Sequence, residues 1–471
     1  VYKRQLSHCS APSATRLAST HRGTTVDTTV DKDIDAWLAE RNIDEVEGLV
    51  PDMAGTPRGK IMPAGKFMKE DGMRLPESLF RQTVTGEYAD IGDDIEHDMV
   101  CRPDPATIRV VPWASDPTAQ CIHDCFDHAG EPVETAPRYV LRRVLELYEA
   151  EGWQPIVAPE VEFFLVKRNV DPDYELEPPT GRSGRPETVR QTFSIDAVNE
   201  FDPVFEEMYD FCEAQELELD TLIHEGGAAQ LEVNFIHGDP LDLADQVFLF
   251  KRTMRETAFR HEIYCTFMAK PMAAEPGSAL HIHQSIHDER TGRNLFASRN
   301  DNDSRIFKHH IAGLQRYLPE AIALMAPYVN SYRRFTRYYA APINVHWGHD
   351  NRTVGLRVPV SPGKARRLEN RVAGADVNPY IAIATSLACG YLGMKQKLRP
   401  TPPMDGDAYT RPFSLARDLY AAIARLKACE PLVEVLGQSF VDMFCAVKES
   451  EYETYFQVIS PWEREFLLLS V

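Results

Sequence analysis

The segment APEVEFFLV, residues 158–166, places two glutamates, Glu160 and Glu162, two positions apart in an otherwise apolar run. The surrounding Val161, Phe163, Phe164, Leu165 and Val166 read as a β-strand with a buried face. Residues i and i+2 of a strand point to the same side, so both carboxylates project together. Like charges that close raise each other's pKa unless something positive lies between them. The pair is either a solvent-facing edge or part of a site for divalent cations, and the remainder of the chain must decide.

At 471 residues the chain is long enough for two or three domains and a sizeable core. Its 51 basic and 71 acidic residues leave a net charge of −20, which argues against nucleic acid or an anionic membrane as partner. No apolar run approaches the ~18 residues of a membrane span. Nine scattered cysteines, an odd number, suit reduced thiols in a cytoplasmic protein. In CIHDCFDH, Cys121, His123, Cys125 and His128 offer four zinc ligands. The alternation there, followed by AGEP (129–132), reads better as a strand entering a turn. Residues 1–25 are basic and rich in Ser and Thr, as in an organelle transit peptide, and residues 1–30 are expected to form a disordered tail.

From residue 31 to 132 the text is short strands broken by Gly and Pro, with one helical start at DKDIDAWLAERN. APRYVLRRVLELYEAEG then carries a helical apolar stripe through Val140, Val144 and Leu147, stopped by Gly152. This places a domain boundary near 133, with residues 133–471 forming the second domain. A polar Pro/Gly-rich loop (171–188) and a second long helix (239–261) follow. GSALHIHQS, within a predicted strand, sets His281 and His283 on one face. NRTVGLRVPV (351–360) reads as a strand bearing Arg352 and Arg357, RRLENRVAG places Glu369 and Arg371 two apart, and VNPYIAIATSLACGYLG reads as a packed helix.

Glu160, Glu162, Glu225, Glu232, His281 and Glu369 thus lie in strand-like apolar text, a donor set suited to two cations of the Mg²⁺ or Mn²⁺ type. Arg334, Arg352, Arg357, Arg366, Arg367, Arg371 and Lys364 can hold anions opposite them. Carboxylates for metals facing arginines for anions is a layout for phosphoryl transfer, and no GxxxxGK[ST] loop is present.

APEVEFF, HEGGAAQLEVNF, GSALHIHQS, NSYRRF, NRTVGLRVPV and KARRLENRVAGADVNPY together resemble the glutamine synthetase superfamily, in order and approximate spacing over residues 33–471. The resemblance implies an α+β fold: a small N-terminal β-grasp domain (31–132) and a catalytic domain (133–471) with a curved antiparallel sheet and flanking helices. It implies that Glu162, Glu225 and Glu232 hold one cation, and that Glu160, His281 and Glu369 hold a second beside the ATP phosphates. Arg334 and Arg371 would clamp the glutamate carboxylate, with Gly277 in the loop closing over it. Arg352 and Arg357 would face phosphate; His283, Ser285, Lys364 and Arg367 would contact nucleotide or the transferring group. The implied reaction forms a γ-glutamyl phosphate from glutamate and ATP, then a γ-amide with a nitrogen nucleophile. The implied assembly is a homo-oligomer, a dodecamer of two hexameric rings.

Three positions depart from the ammonia-using members. YYAAP puts Ala340 in the place of an acid at the ammonium site, RLPESLF puts Pro76 near the place of an aspartate, and Pro276 replaces an asparagine. Loss of negative charge around the incoming nitrogen, with every metal ligand kept, indicates a reshaped nucleophile pocket. The pattern resembles the γ-glutamylpolyamine synthetase branch, which joins glutamate to putrescine or related amines. The alternatives are glutamine synthetase itself, using ammonia, and an inactive family scaffold. The adenylylation motif of some members is absent around TPPMDGDAYT, where Tyr409 is a poor substitute.

Overall fold

The computed structural model describes residues 33–69, 72–92, 96–337 and 340–471; the tail expected at 1–30 lies outside them. A first sheet is built from β1 (Glu45–Pro51), β2 (Pro57–Pro63), β3 (Met73–Pro76), β4 (Asp98–Pro103), β5 (Arg109–Val110) and β6 (Thr118–Phe126). Its order is β2-β1-β6-β4-β3, with β5 also on β6; β1 and β6 run parallel and every other pair is antiparallel. Most of CIHDCFDH lies on β6, as its alternation predicts, with Cys121, His123 and Cys125 buried. The eight cysteines among the described residues are buried and unpaired.

The second sheet contains β7 (Trp153–Lys167), β8 (Leu219–His224), β9 (Gln230–Phe235), β10 (Ile263–Thr266), β11 (Leu280–Asp288), β12 (Trp347–His349), β13 (Leu356–Val358) and β14 (Leu368–Asn370). The order is β12-β13-β14-β11-β7-β9-β8, with β10 also on β7; all pairs are antiparallel except β12 with β13. Helices flank this curved sheet, which makes the chain α+β. The strand expected over 351–360 shortens to Leu356–Val358. Asn351 Oδ1 accepts hydrogen bonds from Thr353 N and Oγ1, and this local turn leaves Arg352 outside the ladder.

β7 sits near the middle of the sheet and obeys period two. Val161, Phe163 and Leu165 are fully buried on the helical side, where Phe163 packs 6.2 Å from Phe250 and 5.7 Å from Phe267, centroid to centroid. Phe250 belongs to the helix Pro240–Arg260, which Asp239 caps by accepting from Leu241 N and Asp242 N. Behind it runs the helix Pro379–Lys395, apolar around nearly its whole circumference and buried accordingly. It crosses the helix Arg305–Tyr317 at Gly393 and Gly313, where a Cβ on either glycine would collide with the other helix's backbone.

The helix Pro137–Glu149 follows the first sheet and carries in its first turn Arg138, which is 3% exposed. Its guanidinium bonds Asp104 (2.7 Å) and Asp124 (2.6 Å) beside the first sheet and Asp245 (2.8–3.0 Å) on the helix Pro240–Arg260. Three carboxylates from two layers therefore share one buried cation. Arg142 also pairs with Asp104 (3.0 Å) and Asp124 (2.9 Å), so Arg138→Ala leaves the buried Asp245 as the carboxylate without a counter-charge and is expected to cost about 3–5 kcal/mol of unfolding free energy. Urea denaturation measures this; a loss below ~1 kcal/mol would show that the cluster does not hold the layers together.

Candidate active site

Strand register assembles the polar face. Glu162 of β7 stands opposite Glu232 of β9, and Glu160 of β7 opposite His281 of β11. Glu369 of β14 stands opposite His283 of β11 on one side and Arg357 of β13 on the other. Directly opposed residues of antiparallel strands share a face, with Cβ atoms about 4.5–5.5 Å apart. Period two within each strand and register between strands thus converge on one concave surface. Glu225 arrives from the turn after β8, where a Cβ on Gly227 would lie 2.6 Å from the Phe164 ring, so only glycine fits.

A cavity of about 720 Å³ opens on this surface. Glu160, Glu162, Glu225, Glu232, His281 and Glu369 line it together with Arg334, Arg352, Arg357 and Arg371, and Pro276, Gly277 and Ala340 border it. A second cavity, about 540 Å³, is lined by His283, Ser285, Arg367, Asp220, His237 and others. Glu160 and Asn234 line both, so Glu160 stands where the two meet. Lys364 is not brought in: it is exposed on the short turn Gly363–Ala365 and lines neither cavity.

Charges within the cluster divide into two kinds. Glu160 Oε1 lies 2.8 Å from His283 Nε2, and Oε2 lies 3.2 Å from His281 Nδ1. Burial opposes ionisation of Glu160, but these imidazoles win and hold it below the usual carboxylate range. Glu369 accepts from Arg357 Nη1 at 2.8 Å and pairs with Arg371; burial pushes it up, yet Arg371 and the two histidines bring it down to about 2. Glu162 is different. Burial first and Glu225 second push it up to about 8, although Ala279 N donates to it at 2.8 Å. Glu225 and Glu232 are raised as well, chiefly by burial and, for Glu232, by the surrounding carboxylates.

This donor set fits divalent cations. Ligand atoms of Glu160, Glu232 and His281 lie within 4.8 Å of one another, as do those of Glu160, His283 and Glu369. The groupings differ from the expected partition in that Glu232 gathers with Glu160 and His281, and His283 joins Glu369. The reason is strand register: His283 is directly opposed to Glu369 in the ladder. Arg334, expected to clamp a substrate carboxylate, is buried and donates to the carbonyls of Val372 (2.8 Å) and Arg371 (3.0 Å). Its burial lowers its pKa to about 10.

Several lining residues escaped the sequence reading. Gln230 donates to Glu162 Oε2 and to the Gly277 carbonyl, and Asn234 is the β9 partner of Glu160. Both sit two positions from Glu232 in QLEVNF, so the same period-two rule identifies them. Thr192, Phe193, Asp407 and Tyr409 come from loops, which carry no periodic signal. Tyr409 is buried and donates its hydroxyl to the Ala341 carbonyl, making it part of the cavity wall.

Residues 134–467 match the family model described as glutamine synthetase, catalytic domain. The chain is 33% identical over 440 residues to gamma-glutamylputrescine synthetase PuuA of Escherichia coli (strain K12), covering 91% of this chain and 92% of that protein. It is 31% identical to a glutamate–isopropylamine ligase of a Pseudomonas species, covering 91% and 95%. A solved structure titled "Apo GmaS without ligand" superposes with a TM-score of 0.80 at 26% identity, covering 93% of this chain and 99% of that one.

The raised carboxylates have a consequence for stability. A folded-state pKa near 8 against an unfolded value of 4.5 means that Glu162 adds no penalty below pH 4.5. It costs increasing stability as pH rises from there to about 8, because the native state then binds more protons than the unfolded one. In chelator-treated protein, the melting temperature of Glu162→Gln relative to wild type is expected to rise between pH 5 and 8, while turnover is lost. Melting curves at both pH values check this. A relative Tm that stays flat would show that Glu162 carries no such burden.

Proposed function

As the chain belongs to the glutamine synthetase family, we propose that it joins the γ-carboxylate of glutamate to an amine, with ATP consumed through a γ-glutamyl phosphate. The observation that carries this reading is the shared cavity in which five glutamates and His281, a donor set suited to divalent cations, face four arginines, with Ala340 in the wall at the position where the resemblance to ammonia-using members expects an acid. The two named relatives, for putrescine and isopropylamine, support an amine as nucleophile.

In this reading Glu162, Glu225 and Glu232 hold one Mg²⁺ or Mn²⁺, and Glu160, His281 and Glu369 a second. The cations would screen the phosphates and polarise the transferring group. Arg371 and Arg334 orient the glutamate carboxylate, with Gly277 in the wall above it; a Cβ at Gly277 would clash with the Ala269 carbonyl and the Arg334 stem. Arg352 and Arg357 face the transferring phosphate, and His283, Ser285 and Arg367 meet the nucleotide from the second cavity. The glutamate γ-carboxylate attacks the γ-phosphorus and ADP leaves. The amine nitrogen then attacks the acyl carbon, the carbon–oxygen bond to phosphate breaks, and the amide forms as the nitrogen loses a proton. We propose residues 31–132 as a small domain and 133–471 as the catalytic domain, and assembly as a dodecamer of two hexameric rings.

Phosphate release from ATP with glutamate and one nitrogen donor at a time tests the reaction. Activity is expected with putrescine or another amine; activity with ammonium alone overturns the amine reading, and none with any donor indicates a scaffold. Ala340 tests the pocket. A carboxylate there is expected to contribute ~1–3 kcal/mol to ammonium binding and to obstruct larger amines. Ala340→Glu should therefore raise the ratio of kcat/KM for ammonium over putrescine by about tenfold to a hundredfold. A ratio that does not rise places Ala340 away from the nucleophile.

A further inference from the structure

Among the described residues, the cavity lining contains one acid outside the five-glutamate cluster: Asp407. It lies in the loop that precedes the turn Ala408–Thr410, which is fixed on several sides. Ala408 N donates to Thr353 Oγ1 (2.9 Å), Asn344 Nδ2 to the Ala408 carbonyl (2.9 Å), Asn351 Nδ2 to the Gly406 carbonyl (2.9 Å), and Tyr409 Oη to the Ala341 carbonyl (3.1 Å). Asp407 is exposed at the cavity rim, on a turn anchored to Ala341 and Thr353. Its Oδ1 accepts from Tyr409 N at 2.8 Å, capping the turn. Among the described residues Oδ2 has no partner, and Asp407 forms no ion pair.

An uncompensated carboxylate beside a neutral stretch suits a particular kind of ligand. Ala340 and Ala341 and the Tyr409 ring offer an apolar surface to methylene groups. Every other acid of the lining belongs to the glutamate cluster assigned to cations. We propose that Asp407 binds the distal ammonium of an α,ω-diamine or longer polyamine whose near amine attacks the acyl phosphate. The inference rests on the amine-ligase reading and narrows its substrate class from amines to diamines.

The test compares putrescine with n-butylamine, which has the same carbon chain and no second charge, in wild type and Asp407→Asn. Asparagine keeps a side-chain oxygen for the cap and is itself a favoured capping residue, so the turn is preserved and only the charge is lost. Wild type is expected to favour putrescine, and the preference in kcat/KM to fall about tenfold in Asp407→Asn, mostly through KM. The contact faces solvent, so the wild-type preference should also shrink as NaCl is raised, which a purely structural role would not produce. A wild type without preference for putrescine, or a preference unchanged in Asp407→Asn, overturns the inference while leaving the ligase reading intact. Failure to form a γ-glutamyl amide with any amine overturns the ligase reading itself.

Discussion

Glu162 and Glu232 stand face to face across adjacent antiparallel strands, where like charges repel at the closest cross-strand separation. Both are buried, so water does little to screen them. Without a cation the pair is relieved by holding protons, which is why burial and the neighbouring carboxylates raise both groups. Its presence dictates what surrounds it: hydrophobic packing on the far side of β7 strong enough to hold the ladder in register, and a concave side open to cations. The apolar core that does this is continuous from the first sheet through the second.

The protein compensates two of the five carboxylates in this cluster. Glu369 lies between Arg357 and Arg371, and Glu160 between two histidines; both are held ionised by the chain's own groups. Glu162, Glu225 and Glu232 have no comparable partner and are pushed the other way. The uncompensated triplet is therefore where a bound cation gains most. The compensated pair can exchange arginine and histidine contacts for metal contacts with less change in local charge. This asymmetry follows from which strands carry the arginines, since β13 and β14 supply Arg357 and Glu369 and the turn after them Arg371.

Much of this was legible in the sequence because it depends on short-range periodicity. APEVEFFLV gave β7 and its polar face, and the stripe in APRYVLRRVLELYEAEG gave the helix Pro137–Glu149. Period two also placed His281 with His283, and alternation resolved CIHDCFDH as strand. What period alone cannot give is register, a long-range property: nothing local says that Glu232 faces Glu162, or that His283 faces Glu369 and so gathers with it. Arg352 was misread as a strand residue because an Asx turn at Asn351 ends the extended run. Asp407, Thr192 and Phe193 sit on loops whose place in the cavity is decided by distant hydrogen bonds.

Where negative charge sits in the nucleophile pocket has a chemical logic beyond binding. An amine attacks only when neutral, and a carboxylate beside it favours the charged ammonium form by raising its pKa. For ammonia a nearby acid serves twice, first to capture the cation and then to accept its proton. A diamine has two ends and can separate these tasks. Its far end stays an ammonium and supplies the binding energy, while its near end deprotonates more readily in surroundings free of acid. With Asp407 in its proposed role, the cavity wall divides these tasks in that way: neutral beside Ala340, charged at Asp407. Alanine at position 340 also keeps the wall small, and its positive φ of 63° holds that stretch in a conformation where a bulkier β-branched side chain would be strained.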